Sequence, residues 1–409
     1  LTQRVVITGL GVVSSIGWET DEFWSNLTAG RSGISHLSLT TSDLPVRIGG
    51  QIFDFPSGSW FSPKERIRMD RFTQFALAAA LQAAKDAKVE QGGEDVGVVV
   101  SSGVGGIITL LDQQQVLLEK GAERVSPFMV PMMMINNAAS QIAIRFHAQG
   151  YSSCPVTACA SSLHALGEAY QVIRRGEARL IFAGGAEAPL VPVAIAAFAN
   201  MKALSASKRE PAQVSRPFDR NRDGFVMSEG AGILVLEALE SALARSAHIY
   251  GEIRGFAAST DAYHVAAPEP EGTAVVSMIK RALTSAGMIP EDIDYVNAHG
   301  TSTPLNDKIE TLALHKAFNS HAKRLLVNST KSMIGHLLGA AGAVETIAAL
   351  LALERGIVHP TINLDEPDPD CDLDYVANRP RFQPIHSFLK LSYGFGGHNA
   401  GLIVSRYQG

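Results

Sequence analysis

Cysteine is scarce: Cys154, Cys159 and Cys371 are the only three in 409 residues. Their spacing makes neither a disulfide framework nor a zinc ribbon, so a reducing, cytoplasmic setting is expected. Charge is also thin. Charged residues make up 18%, and a formal balance of −5 leaves no basic field that would point to nucleic acid. No apolar run reaches the ~18 residues that a membrane helix needs, so a soluble chain without a membrane span is expected. Arg4 and the apolar run behind it could pass for a signal segment. That run, however, is rich in β-branched residues and broken by Gly9 and Gly11, as a strand and a turn would be. Hydrophobic residues, by contrast, reach 46% and glycines number 37, which suits well-covered sheets and a sizeable core.

Along the chain, apolar β-branched runs alternate with helical patterns. Residues 4–8 read as a buried strand followed by a glycine turn, Gly9-Leu10-Gly11. The turn is similar to the start of a dinucleotide fingerprint, but Ser14 stands where the third glycine belongs. Residues 70–88 are helical, with an alanine face (Ala76, Ala79, Ala80, Ala83, Ala84) suited to close packing or a dimer contact. Strands are expected at 95–101, 179–183, 231–236, 251–257, 293–298, 324–327, 389–392 and 400–405, and helices at 273–286 and 335–354. Asp219, Asn221, Asp223 and Gly224 match half a calcium loop, yet Gly230 occupies the place of its bidentate glutamate, so a tight turn is expected instead. The pattern implies an α/β fold with largely parallel sheets and two halves, 1–250 and 251–409. Each half has a strand-to-helix corner bearing a reactive side chain, which suggests a duplicated fold sharing one active site, although self-similarity between the halves is faint.

The first of these corners is VTACASSLHALGE, residues 156–168. Leu163, Leu166, Tyr170 and Ile173 recur at helical steps, which puts Cys159 at or just before the first turn. Free N–H groups and the helix dipole there would favour a thiolate. From this stretch alone, an inert buried cysteine is an equal alternative. Three further strand ends follow: Asn297 to Thr303 with His299, Ser329 to His336 with Lys331, and the glycine loop Gly394 to His398. Taken singly, each histidine is more often structural than catalytic, and His164 reads as a bystander. Zinc held by Cys159, His299 and His336 is a rival arrangement, but none of the three sits at a short paired spacing.

Taken together, VTACASS, NAHGTSTPLND, STKSMIGHLLGAAGA, RPFDRNRDGFVMSEGAG and GFGGHNA resemble the signatures of the β-ketoacyl-acyl-carrier-protein synthases, elongating condensing enzymes of the thiolase-like superfamily. The resemblance runs nearly the whole length of the chain. It implies duplicated halves in a five-layered α-β-α-β-α sandwich, usually a homodimer, with acyl carrier protein as partner and no metal or organic cofactor required. It further implies Cys159 as acyl-accepting nucleophile, His299 and His336 at the malonyl carbonyl, and Lys331 orienting the site with Glu345 as its carboxylate partner. The N–H groups of Cys159 and Phe395 would form an oxyanion hole. Thr301 and Thr303 would hold the pantetheine arm. Val104, Phe198 and Phe225 would line the acyl tunnel, with Phe395 as its gate. Asn136 to Ser140 and His398 depart from the commoner family pattern, which bears on chain-length preference. A ketosynthase of a type II polyketide pathway, with the same chemistry, is the alternative. The acidic carrier should meet a local basic patch, with candidates Lys64, Arg66, Arg68, Lys202, Lys208 and Arg209.

Overall fold

The computed structural model describes residues 2–38 and 43–409. Ten strands form its main sheet: β1 (Val5–Val13), β2 (Val96–Ser101), β3 (Ser152–Ser153), β4 (Leu180–Glu187), β5 (Gly230–Ala238), β6 (Gly251–Thr260), β7 (Tyr295–Asn297), β8 (Leu326–Asn328), β9 (Ser387–Gly394) and β10 (His398–Ser405). Eight helices matter here: α1 (Arg71–Ala87), α2 (Ile107–Lys120), α3 (Asn137–Phe146), α4 (Ser161–Arg174), α5 (Pro192–Asn200), α6 (Thr273–Ala286), α7 (Pro304–Phe318) and α8 (Ala341–Arg355).

The strand order is β8-β7-β9-β10-β6-β1-β5-β4-β2-β3. Numbered within its own half, each set of five has the order third, second, fourth, fifth, first, so the same topology occurs twice. The two sets meet through three residue pairs between β1 and β6. Side chains alternate between faces along each strand. Leu180 and Phe182 face α1 and α3, while Ile181 and Ala183 face α4 and α8. In the other half, Leu389 and Leu391 face α6 and α7, while Phe388 and Leu402 join the central helices. The result is a five-layered α-β-α-β-α stack of thiolase-like type. The central α4 and α8 must be apolar nearly all round, and every residue of α8 from Ala341 to Leu353 is buried.

Three expectations need correction. Gly9 and Gly11 do not turn the chain; they lie inside β1, because α1 packs directly on them. A Cβ on Gly9 would sit 2.3 Å from the Ala83 carbonyl oxygen, and one on Gly11 1.9 Å from that of Ala79. The alanine face of α1 is thus spent on close packing within the chain. The sheets are mixed, not largely parallel: β9 returns as β10 through a glycine hairpin, and the first and last strands of each half pair antiparallel. Finally, the helix expected from residue 335 begins at Ala341, after a separate turn at Leu338–Ala340.

Candidate active site

Cys159 lies in the 3₁₀ turn Ala158–Ala160 that opens α4, and only 8% of it is exposed. Ala158 is left-handed (φ 50°), a conformation that costs a non-glycine residue about 1–2 kcal/mol. Ser161 braces the turn: its hydroxyl donates to the Ala158 carbonyl (2.6 Å) and accepts from the Thr157 N–H (2.9 Å). The backbone N–H groups of Phe395 and of Cys159 itself both point at the sulfur. Gly394 makes that approach possible, since a Cβ there would fall 2.4 Å from the Thr157 carbonyl oxygen. The expected thiolate is not what the structure favours. Burial, with a smaller push from the charge of Glu187, raises the thiol to about 12, against the opposing pull of Lys331 and the two N–H groups. A helix-terminal dipole does not offset burial this deep.

His299 follows β7 and His336 follows the short helix Lys331–Ile334; both are buried, with ring centroids 5.3 Å apart. The Leu338 N–H donates to Nδ1 of His336 (3.3 Å), which leaves the ring proton on Nε2. Nδ1 of His299 faces the Lys331 ammonium at 3.4 Å, which selects the same tautomer. Burial first, and Lys331 second, hold both rings well below the ordinary histidine value, so both are neutral donors at physiological pH. Lys331 also donates to the His299 carbonyl (2.7 Å) and pairs with Glu345 at 2.6 Å.

Three partners in this network went unnoticed in the sequence. Lys390 pairs with the other Glu345 oxygen (2.6 Å), and burial draws it down to about 8. Glu310, pushed up to about 7 by burial, accepts from the N–H groups of His299 (2.7 Å) and Gly300 (2.8 Å) and so fixes the backbone of the first histidine. Glu187 holds the loop at 102–104. A signal existed for Lys390: with period two it shares a face with the core residue Phe388. Glu310 lies on α7 one turn beyond Asn306, a placement that only the fold brings under His299.

Cys159, His299, His336 and Phe395 open onto one cavity of about 550 Å³, which Thr301, Thr303, Phe198 and Phe225 also line. Phe198 stands edge-on to Phe225 and 6.3 Å from Phe395, in an aromatic wall. Thr301 and Thr303 bond one another (2.9 Å), and Thr303 caps α7. Val104 does not line this cavity; it is 37% exposed, and its N–H donates to Glu187. Lys202 lines the cavity, whereas Arg68 lies over the Phe128 ring and does not line it. Asp219, from the rejected calcium loop, is taken by Arg216 and by the N–H groups of Asn221, Asp365 and Glu366. The geometry can take an acyl group on sulfur, cradle a tetrahedral oxyanion on two backbone N–H groups, and offer two imidazole donors to a second developing oxyanion.

Comparison with known proteins adds the following. The model of the β-ketoacyl synthase N-terminal domain matches residues 2–242, and that of the C-terminal domain matches residues 250–365. The chain is 47% identical over 410 residues to 3-oxoacyl-acyl-carrier-protein synthase 2 of Synechocystis sp., with 99% of both chains covered. It is 44% identical to the protein of the same name from Staphylococcus aureus (strain COL), again with 99% of both covered. Among solved structures, a type II polyketide ketosynthase in complex with its acyl-carrier protein and bound to the hexaketide matches with a TM-score of 0.91 at 37% identity, covering all of both chains. A β-ketoacyl synthase from Burkholderia phymatum matches with a TM-score of 0.91 at 33% identity, covering 99% of this chain and 100% of that one.

Proposed function

The chain belongs to the β-ketoacyl synthase family, and from that premise we propose a decarboxylative condensation that elongates fatty acyl chains on acyl carrier protein. Cys159 attacks the thioester of an acyl carrier; the acyl–sulfur bond to the carrier breaks, and the carrier leaves as a thiol with the proton that Cys159 gave up. Malonyl carrier then enters. Its carboxylate leaves as CO₂, and the electron pair of that C–C bond becomes an enolate whose oxygen the Nε2–H groups of His299 and His336 stabilise. The enolate carbon attacks the Cys159 thioester, whose oxygen is held by the N–H groups of Cys159 and Phe395. The C–S bond breaks, the β-ketoacyl carrier departs, and one proton from solvent restores the thiol. Lys331, with Glu345, keeps His299 in its donor tautomer; Phe198, Phe225 and Phe395 bound the acyl chain; Thr301 and Thr303 meet the pantetheine arm.

The observation that carries this reading is the pair of neutral Nε2–H donors sharing a cavity with a buried cysteine. The full-length identity to synthases named for 3-oxoacyl carriers supports fatty acyl elongation over the polyketide alternative. Lys202, which lines the cavity, with Lys208 and Arg209 nearby in sequence, is the docking patch for the acidic carrier. Leu110, Leu118, Phe128 and Val130 expose apolar side chains on and after α2, and we read them as a homodimer contact of a cytoplasmic enzyme. The decisive experiment incubates the protein with acyl and malonyl carriers and weighs the Cys159 peptide. The acyl adduct should vanish in Cys159→Ala while malonyl decarboxylation persists. Undiminished β-ketoacyl product from that variant would overturn the assignment.

A further inference from the structure

Glu187 ends β4, is wholly buried, and plays no part in the steps above. Four donors hold its carboxylate: the Ser102 hydroxyl (2.5 Å) and the N–H groups of Gly103 (2.7 Å), Val104 (3.1 Å) and Gly339 (2.8 Å). The Ser102 oxygen already accepts from the Gly105 N–H (2.9 Å), so its proton is directed at Glu187. Every partner donates, an arrangement that suits the carboxylate form although burial pushes the group up.

The turn that contains Gly339 is the counterpart of the one that contains Cys159. Leu338–Ala340 opens α8 as Ala158–Ala160 opens α4, and the leading residues share a left-handed backbone, φ 46° and 50°. Each turn is met by the end of the fourth strand of the opposite half: Gly394 against Cys159, Glu187 against Gly339. Where the first half aims its N–H groups at the Cys159 sulfur, the second fills the equivalent place with a carboxylate of its own. The same turn supplies the Leu338 N–H that holds Nδ1 of His336.

We propose that Glu187 is a positioning residue for the condensation, an internal anion that plugs the counterpart hole and thereby fixes the tautomer and aim of His336 through the turn 338–340. This rests on the reading that His336 serves the enolate. In Glu187→Gln an amide N–H₂ would face N–H donors, and the turn must shift. A misplacement of about 1 Å costs roughly 10²-fold, so condensation should fall by that order while acylation of Cys159 stays close to normal. Glu187→Asp, which keeps the charge but retreats by one methylene, serves if the amide variant does not fold. Side-chain ¹⁵N shifts of His336 should move from a single Nε2–H tautomer to a mixture, and formate should restore part of the condensation rate of Glu187→Ala. A folded Glu187→Gln or Glu187→Asp with parent-like condensation and an unchanged His336 tautomer would overturn the proposal, as would equal losses in acylation and condensation. His336→Ala, measured alongside, separates the two failures: normal condensation there would sink the reading of His336, whereas the ¹⁵N shifts test Glu187 directly.

Discussion

Replacing Glu345 with glutamine tests the buried charge network most sharply. Lys331, Glu345 and Lys390 are 1%, 0% and 0% exposed, and both lysines sit 2.6 Å from the one carboxylate. The triad carries a net +1, and the amide removes the carboxylate that both lysines share, which leaves Lys331 and Lys390 either charged without that partner or forced to give up a proton. Breaking a buried pair from one side costs about 3–5 kcal/mol, because the surviving charge is left in low dielectric. For 409 residues the unfolding entropy is of order 0.9 kcal/mol/K, so melting should fall by about 4–6 °C. Glu345→Gln/Lys390→Met returns the net charge to +1 and should recover part of the loss, though it forfeits the Lys390 bonds to Leu391 (2.7 Å) and Ala298 (3.2 Å). The sign of the pH dependence follows from Lys390, whose folded value of about 8 lies below that of a free lysine. Between there and ~10.4 the unfolded chain binds the extra proton, so its contribution to stability rises with pH, by at most about 3 kcal/mol. Lys390→Met should remove that rise. Calorimetry at pH 7 and pH 9.5 reads both effects. A Glu345→Gln protein that melts within about 1 °C of the parent, with no gain from the second substitution, would refute the network as an electrostatic unit.

The remaining predictions concern the reacting groups. Alkylation of Cys159 by iodoacetamide should rise about tenfold per pH unit from 7 to 10 without levelling, because the thiol is pushed up to about 12; a plateau below about pH 8.5, the ordinary thiol range, would mean a resident thiolate. His299→Ala and His336→Ala should each slow condensation by about 10²–10³ but spare single-turnover acylation; equal losses in both would make the histidines bases towards Cys159. Since both imidazoles already lie well below the ordinary value, the condensation rate of the parent should show no histidine titration from pH 6 to 8. Gly394→Ala should destabilise by about 1–3 kcal/mol through overpacking against Thr157 and impair acylation by displacing the Phe395 N–H; a variant with parent-like melting and acylation would show that this close approach is dispensable.

Much of the molecule was legible in the chain before its fold. Strand positions followed from β-branched runs bounded by glycine, and helix α6 was read to the residue because its 3.6-residue period is bounded by Gly272 and Gly287. Cys159, Lys331, His299 and His336 were candidates because they sit at strand ends beside small residues, and it was the resemblance of the five motifs to the β-ketoacyl synthases that singled them out. What a local pattern could not carry was each group's surroundings. A helix-start cysteine reads as a thiolate until its depth of burial is seen. Gly9 and Gly11 read as a turn until α1 is seen lying on β1. Lys390, Glu310 and Glu187 drew no notice, because their partners are 45, 10 and 152 positions away in the chain. Sequence by itself determined most of the elements and the candidate side chains, which depend on near neighbours and short motifs; only the tertiary structure decided their protonation states, tautomers and common cavity, because burial and charge pairing are set by residues that the fold alone brings together.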